Sequence, residues 1–357
     1  MPHKILYSKL FAPPKFLEMP AVSLEISPEG IYFLSTKNTE KGVLPDIYGL
    51  EPLPEGAVSR GDIIKKEPVI KALMEIKKKT KTNFVRFSIS EEKTYIFKTN
   101  LPNVSSLDPK EIHDILDFKI EENVPLSTKE AVFDYDIVPT TKDSDGTDVV
   151  VSVAPLKTVE ELQNIFELAG FTPIFFSPES NNVAKSIIQD GNEQIIVIVN
   201  IREATIVLSL VIYGVVCQTS SINFGSSTFT ELLAKYFKVS QEEALKIKKE
   251  KLYSENPDNM EIFSYLINTI SAIKDEIYKF VSYCNEREDV VSRVDRIVLC
   301  GRDALIFGFE KYLSLNLDIK VDIANVWINN FDLDVYTPEI SKPDSLDMAV
   351  VNGLSLF

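Results

Sequence analysis

Apolar and polar positions alternate at period two in short runs and then recur at helical spacing, and the chain switches between the two patterns many times. Residues 22–35 predict a hairpin: AVSLEIS and IYFLS are strands, and Pro28-Glu29-Gly30 supplies the turn. A Pro- and Gly-rich connection follows (Pro45, Gly49, Pro52, Pro54, Gly56). Over 68–81, Val69, Leu73 and Ile76 share one helical face, and Lys71, Lys77, Lys78 and Lys79 fill the rest. That lysine run reads as a solvated face in preference to an anion patch. VRFSIS and TYIFK are alternating strands. Asp108, Pro109 and Glu111 open a helix as cap, first residue and third residue, and Ile112, Ile115, Leu116 and Ile120 form its stripe. His113 lies beside that stripe with no second His or Cys near it, so it reads as a surface or satisfied histidine and not a metal ligand. AVFDYDIV and DVVVSVAP predict a hairpin across TTKDSDG. Thr158–Glu161 reads as a capping box before a helix that turns Leu162, Ile165, Phe166 and Ala169 inward, with Gly170 as its stop. PIFFS is a strand, and 178–188 a short helix crossing into the second half.

From Gln194 the pattern restarts. QIIVIVN, TIVLSLV and VVCQTSS are three strands, with IREA as the first turn. Ser240–Glu243 is a second capping box. Residues 260–288 carry the longest helical stripe, from Phe263 through Ile270 and Ile277 to Cys284. RIVLCG is a buried strand entering a glycine turn, and DALIFGFEKYL a helix.

The chain has 357 residues, enough for two domains or one two-lobed unit. Its 38 Lys and Arg against 53 Asp and Glu leave a net charge of −15, which argues against nucleic acid as the main partner. Two His and three widely spaced Cys (Cys217, Cys284, Cys300) offer no zinc knuckle or CxxC pair, and suit a reducing cytosol. The N-terminus is broken by Pro2, Pro13, Pro14 and Pro20, and Asn200 ends the apolar run at 195–199. Neither an export signal nor direct membrane insertion is expected.

The two hairpins can be laid over one another at an offset of 175 residues, with Leu24–Ile31 on Val199–Ile206. A repeat at about half-length predicts two similar α/β lobes facing across a cleft. Tight hairpins can cradle phosphate on backbone N–H groups. On these residues the chain resembles the PilM family of type IV pilus assembly, within the actin-like ATPase superfamily. The likeness runs through LEISPEGIYFL, LPEGAVSRGDIIKKEPVIKALMEI, Pro109 to FDYDIV, ELAGFTPIFFSPESNNVA, FGSSTFTELLAKYFKVSQEEALKIK, VLCGRDALIFGFEKYL and MAVVNGLSL.

The resemblance implies an α/β, actin-like two-lobed ATPase fold of duplicated ribonuclease H-like domains, with an inserted α+β subdomain in the first lobe. It places an N-terminal extension at 1–20 and the first lobe at 21–51, 154–188 and 340–357. The insertion falls at 52–153 and the second lobe at 189–339, helical at about 226–290. It implies binding of the N-terminal cytoplasmic segment of a PilN-type bitopic membrane protein, in a groove between the first-hairpin subdomain and the insertion. Other pilus assembly components and self-association follow as further expectations, at the inner face of the cytoplasmic membrane. The acidic charge favours a basic segment.

The family also implies ATP and magnesium, held by an aspartate–glycine pattern at each hairpin. Here the pattern is altered. Glu25 and Ser27 stand in the first hairpin, and Asn200 and Arg202, followed by Thr205, in the second. Glu25 is the best candidate beside a magnesium ion. Arg202 has two readings: a residue filling a surface turn of a dead site, which is preferred, and a partner for phosphate. On the adenosine side Gly301 and Arg302 replace a glycine run, Leu245 stands where the family has glutamate, and Lys248 matches the family lysine or is an ordinary exposed one. Cys300 has no base near it in sequence and is not expected to be a nucleophile. The expected function is a cytoplasmic scaffold with weak or lost ATP hydrolysis. The rivals are an active ATPase, an FtsA-like filament protein and a sugar-kinase relative.

Overall fold

The computed structural model describes residues 19–101, 109–138, 146–253, 259–286 and 293–357. β1 (Ala21–Ile26), β2 (Gly30–Thr39) and β3 (Gly42–Pro52) form an antiparallel meander. A small hairpin of β4 (Val58–Ser59) and β5 (Asp62–Ile63) leads to helix α1 (Lys66–Thr80) and to β6 (Phe84–Ile89), which runs parallel to β1. β7 (Tyr95–Leu101), α2 (Pro109–Asn123), β8 (Ala131–Ile137) and β9 (Thr147–Pro155) build a separate three-stranded sheet backed by its helix. The chain returns through α3 (Leu156–Leu168) to β10 (Thr172–Pro178), parallel to β6. α4 (Glu179–Ile187) crosses to the second half.

There β11 (Ile195–Ile201), β12 (Ile206–Ile212) and β13 (Val215–Ile222) repeat the meander. α5 (Ser226–Phe237), α6 (Gln241–Ile247) and α7 (Asn259–Glu286) follow. Then come β14 (Arg296–Cys300), α8 (Phe309–Leu317), β15 (Lys320–Ile323), α9 (Lys342–Asp347) and α10 (Ala349–Ser355).

The two five-stranded sheets have one topology. The first runs β10-β6-β1-β2-β3 and the second, read from its matching edge, β15-β14-β11-β12-β13. In both, the meander is antiparallel and the last two strands are parallel to the first. The offset of 175 holds residue by residue: Glu25 pairs with Tyr32 and Ile26 with Ile31, while Asn200 pairs with Val207 and Ile201 with Ile206.

β11 and β12 are buried along their whole length, because both faces are covered. Alternate residues divide between two cores. Ile195, Val197, Val199 and Ile201 pack with the α7 stripe of Leu266, Ile270, Ile273 and Ile277. Ile196 and Ile198 share a core with Tyr32 and Leu34 of the first sheet, Val183 and Ile187 of α4, and Val350 and Val351 of α10. This second core joins the lobes. α4 and α10 cross so closely that a Cβ on Gly353 would overlap the Asn182 carbonyl.

Several expectations change. β6 belongs to the first sheet, and α1 packs Val69, Leu73 and Ile76 into that sheet's core, so the insertion at 52–153 is too wide. The separate sheet begins at Tyr95 and ends at Pro155. The connection with Pro45 and Gly49 is the edge strand β3, where a register shift between Ser35 and Thr36 accommodates the proline. α3 begins at Leu156 with no side-chain cap, two residues before the capping box. DALIFGFEKYL is a 3₁₀ turn at Arg302–Leu305 followed by α8. The Ser240 cap forms, accepting the Glu243 N–H at 3.2 Å. The Asp108 cap, the TTKDSDG loop up to Asp145 and all but the end of the 1–20 extension lie outside the described residues. No helix among the described residues is long and apolar enough to cross a membrane.

Candidate functional site

Both hairpin turns close in the same way. The Ser27 N–H donates to the Gly30 carbonyl and the Arg202 N–H to the Thr205 carbonyl, each at 2.9 Å. The turns line a cavity of about 1570 Å³ between the lobes, together with Lys248, Gly301, Arg302 and Asp347. The volume would admit a nucleotide. Several of the charged side chains lining it are paired with one another.

Arg202 is the clearest case. Its guanidinium reaches across the cleft to Glu25 at the end of β1 and to Glu179 at the head of α4. Both carboxylates are buried, and the arginine side chain is only 19% exposed, so it does not fill a surface turn. Burial pushes the Glu25 carboxyl up and Arg202 opposes that, while Glu29 and Asp347 push it up further. Glu91 is held high by burial as well, and its Oε2 accepts the Ser180 N–H at 3.3 Å.

The adenosine-side candidates are also engaged. Lys248 is buried, not exposed: its Nζ donates to Asp303 Oδ2 at 3.0 Å and to the Ser226 carbonyl at 2.9 Å. Tyr253 donates to the other Asp303 oxygen at 2.6 Å. Arg302 donates through Nε to Asp347 at 2.7 Å and through Nη2 to Asp344 at 2.7 Å. The Arg302 N–H also goes to Asp347, at 3.1 Å. Gly301 holds φ +86°, and a Cβ there would overlap the Ile201 carbonyl. The Ser226 and Ser227 N–H groups at the start of α5 donate to the Arg202 and Glu203 carbonyls, at 2.8 and 2.9 Å. Those are the donors a helix start would otherwise offer an anion. Burial pushes the Cys300 thiol up to about 12, which favours the protonated form.

These residues do not fit magnesium–ATP. One oxygen of the magnesium candidate Glu25 is taken by Arg202. A polyphosphate would have to displace several internal counter-charges, and, although Arg60, Lys93 and Lys249 also line the cavity, its own charge would meet Glu25, Glu29, Glu203 and Asp347 on the wall.

The raised carboxyls set the expected pH dependence of folding. Burial comes first in raising Glu25, Glu91, Glu203 and Asp347, the last to about 6. A carboxyl raised in the folded state binds its proton more tightly there than in the unfolded chain. Its stabilising contribution is therefore full below the unfolded value and is lost as pH rises through the folded one. The thermal midpoint should rise by several degrees from pH 7.5 to pH 5.5, and Asp347→Asn should flatten the rise. A midpoint that falls over this interval contradicts the assignment.

A second cavity, of about 870 Å³, lies where the first sheet, the three-stranded sheet and the β12–β13 turn meet. Its walls include Phe175 and Phe176 of β10, an edge strand, and Asp134 and Asp136 of β8, also an edge strand. Phe175 stacks on Phe357 with centroids 4.9 Å apart, and Phe176 on Phe87 at 5.5 Å. Along β8, Phe133 and Tyr135 pack toward α2, which leaves Val132, Asp134 and Asp136 on the groove side. Partial burial and then Asp134 raise the Asp136 carboxyl.

A family model described as type IV pilus assembly protein PilM matches residues 23–356. The chain belongs to the PilM family. Among solved structures it is similar to a chain of a "PilM-PilN type IV pilus biogenesis complex", with TM-score 0.74 and 15% identity over 94% of this chain and 98% of that one. It is also similar to MreB5 of Spiroplasma citri bound to ADP (TM-score 0.58, 15% identity, 95% of each chain). The ethanolamine utilization protein EutJ from Carboxydothermus hydrogenoformans gives TM-score 0.55 at 14% identity, over 97% of this chain and 90% of that one. The fold is that of the actin-like ATPases.

For this PilM-family chain the structure gathers Glu25, Ser27, Asn200, Arg202, Thr205, Lys248, Gly301 and Arg302 around one cleft. Sequence reasoning missed their partners. Glu179 lies within ELAGFTPIFFSPESNNVA, but an acid in the first turn of a helix is ordinary and marks no site by itself. Asp303 and Asp347 gave no local signal.

Proposed function

We propose that this PilM-family chain is a cytoplasmic scaffold of a type IV pilus or related secretion platform. It binds the N-terminal cytoplasmic segment of a PilN-type membrane protein in the groove between β10 and β8. Weak or lost ATP hydrolysis in a degenerate, duplicated ribonuclease H-like framework belongs to the same proposal. The observation that carries it is the groove: an apolar floor of Phe175 and Phe176 beside two acidic residues on β8. An extended segment can lay apolar side chains on the floor and a basic one against Asp134 and Asp136. A protein of net charge −15 also speeds encounter with a basic segment. Peripheral attachment to the membrane then follows from the partner, with other pilus assembly components and self-association as further contacts.

The test is a calorimetric titration with a synthetic peptide of the N-terminal segment of a neighbouring bitopic protein. Binding is expected, and Phe175→Ala should weaken it by about tenfold through lost apolar contact. No heat from any such peptide, or binding unaffected by Phe175→Ala, counts against the groove.

A further inference from the structure

We propose that Arg202 is an internal latch, which holds the lobes together without a nucleotide and, through Glu179, positions the wall of the groove. The second half rests on the groove reading above; the first does not.

Arg202 sits in the β11–β12 turn of the second lobe. Its two partners belong to different elements: Glu25 to a central strand of the first sheet, and Glu179 to the helix that crosses between the lobes. One guanidinium therefore ties three elements at the point where the two hairpins approach. The side chain is suited to this, because its planar fork can serve two carboxylates at once. Lysine could hold only one of them well.

The head of α4 is gripped from a second side. The Ser180 N–H donates to Glu91 at 3.3 Å, and Glu91 lies two residues past the end of β6 in the first sheet. The first turn of α4 is thus fixed by Arg202 on Glu179 and by Glu91 on Ser180. The same helix faces the groove: Pro178 at its cap, Asn181 in its first turn and Lys185 one turn on line it, next to Phe175 and Phe176. Asn181 also donates to Ser152 of β9 at 3.3 Å, which ties the helix to the three-stranded sheet. A shift of Glu179 therefore moves a wall of the groove.

Closure by a nucleotide would need an anion between the hairpins. In this chain an anion there competes with Glu25 and Glu179 for Arg202, so it opposes the latch. The closed form and a formed groove are accordingly built in, and magnesium–ATP is not required to reach them.

Hydrogen exchange over 172–187 tests the latch, in the full chain, for wild type, Arg202→Lys and Arg202→Ala. Arg202→Ala should speed exchange there by about tenfold or more, and Arg202→Lys should fall between. Ile270→Val, a mild change in the α7 core, serves as a control for general loosening and should leave 172–187 unchanged. Titration with the basic partner peptide adds the second readout: Arg202→Ala should weaken binding about tenfold although no groove side chain is altered. Unchanged exchange over 172–187 in Arg202→Ala overturns the latch, whatever the peptide does. Faster exchange with no peptide bound even by wild type keeps the latch and removes the groove reading. If Arg202→Ala does not fold, the comparison of Arg202→Lys with wild type decides, and equal exchange in those two overturns the proposal.

Discussion

Arg202→Ala should lower folding stability by about 3–5 kcal/mol, the range expected when one partner of a buried ion pair is removed. Glu25 and Glu179 would face each other, and their charges would have no cation between them. Glu25 Oε2 already lacks a hydrogen-bond partner, so it has no other group to turn to. Part of the loss is relieved when the carboxyls take up protons, because burial already favours that for Glu25. The destabilisation should therefore be greater at pH 8 than at pH 5.5. Denaturant unfolding at the two pH values measures both effects. Arg202→Glu should be worse at either. A near-neutral Arg202→Ala would mean that the side chain is solvated in the folded protein, and the interlobe bridge would be withdrawn.

The second large effect lies in the groove. Asp134→Lys combined with Asp136→Lys should weaken binding of a basic partner peptide by about a hundredfold at low salt, with much less effect at high salt. Both residues lie on the groove side of an edge strand, while the same strand's Phe133 and Tyr135 pack toward α2. The fold should therefore tolerate the change, and its thermal midpoint should stay within a few degrees of wild type. Asp134→Asn with Asp136→Asn should give an intermediate loss and a shallower salt dependence. Binding that is indifferent to both double variants places the peptide elsewhere.

The duplication was legible because a hairpin fixes its own register, so the residues of one turn can be laid on the other at constant offset. Glu25 on Asn200 and Ser27 on Arg202 follow from that alone, and the pairing of both hairpins bears it out. The insertion boundary was less legible. Phe84–Ile89 and Tyr95–Leu101 are both short alternating strands, yet one joins the first sheet and the other the separate sheet. Which sheet a strand enters depends on partners far along the chain. β3 was hidden by Pro45 and Gly49, residues that usually mark loops but are tolerated at an irregular edge.

The site shows the same division. The candidate positions could be found from sequence, but their charge partners could not. Lys248 meets Asp303 across 55 residues of chain, and no helical spacing links them. Arg202 illustrates the cost of reading a turn locally: polar turn residues are commonly solvated, and only the approach of the first lobe buries this one. The signal that could have helped was charge arithmetic at the cleft, where Arg202 stands opposite an acid retained in the other hairpin.

One calorimetric titration separates the proposed scaffold from an active ATPase: wild-type protein with the N-terminal peptide of a PilN-type protein, the proposed partner, with and without magnesium–ATP. Binding of equal affinity is expected in both, with no ATP turnover in the calorimeter cell. Binding only in the presence of magnesium–ATP, or steady hydrolysis that Glu25→Ala abolishes, would contradict the proposal.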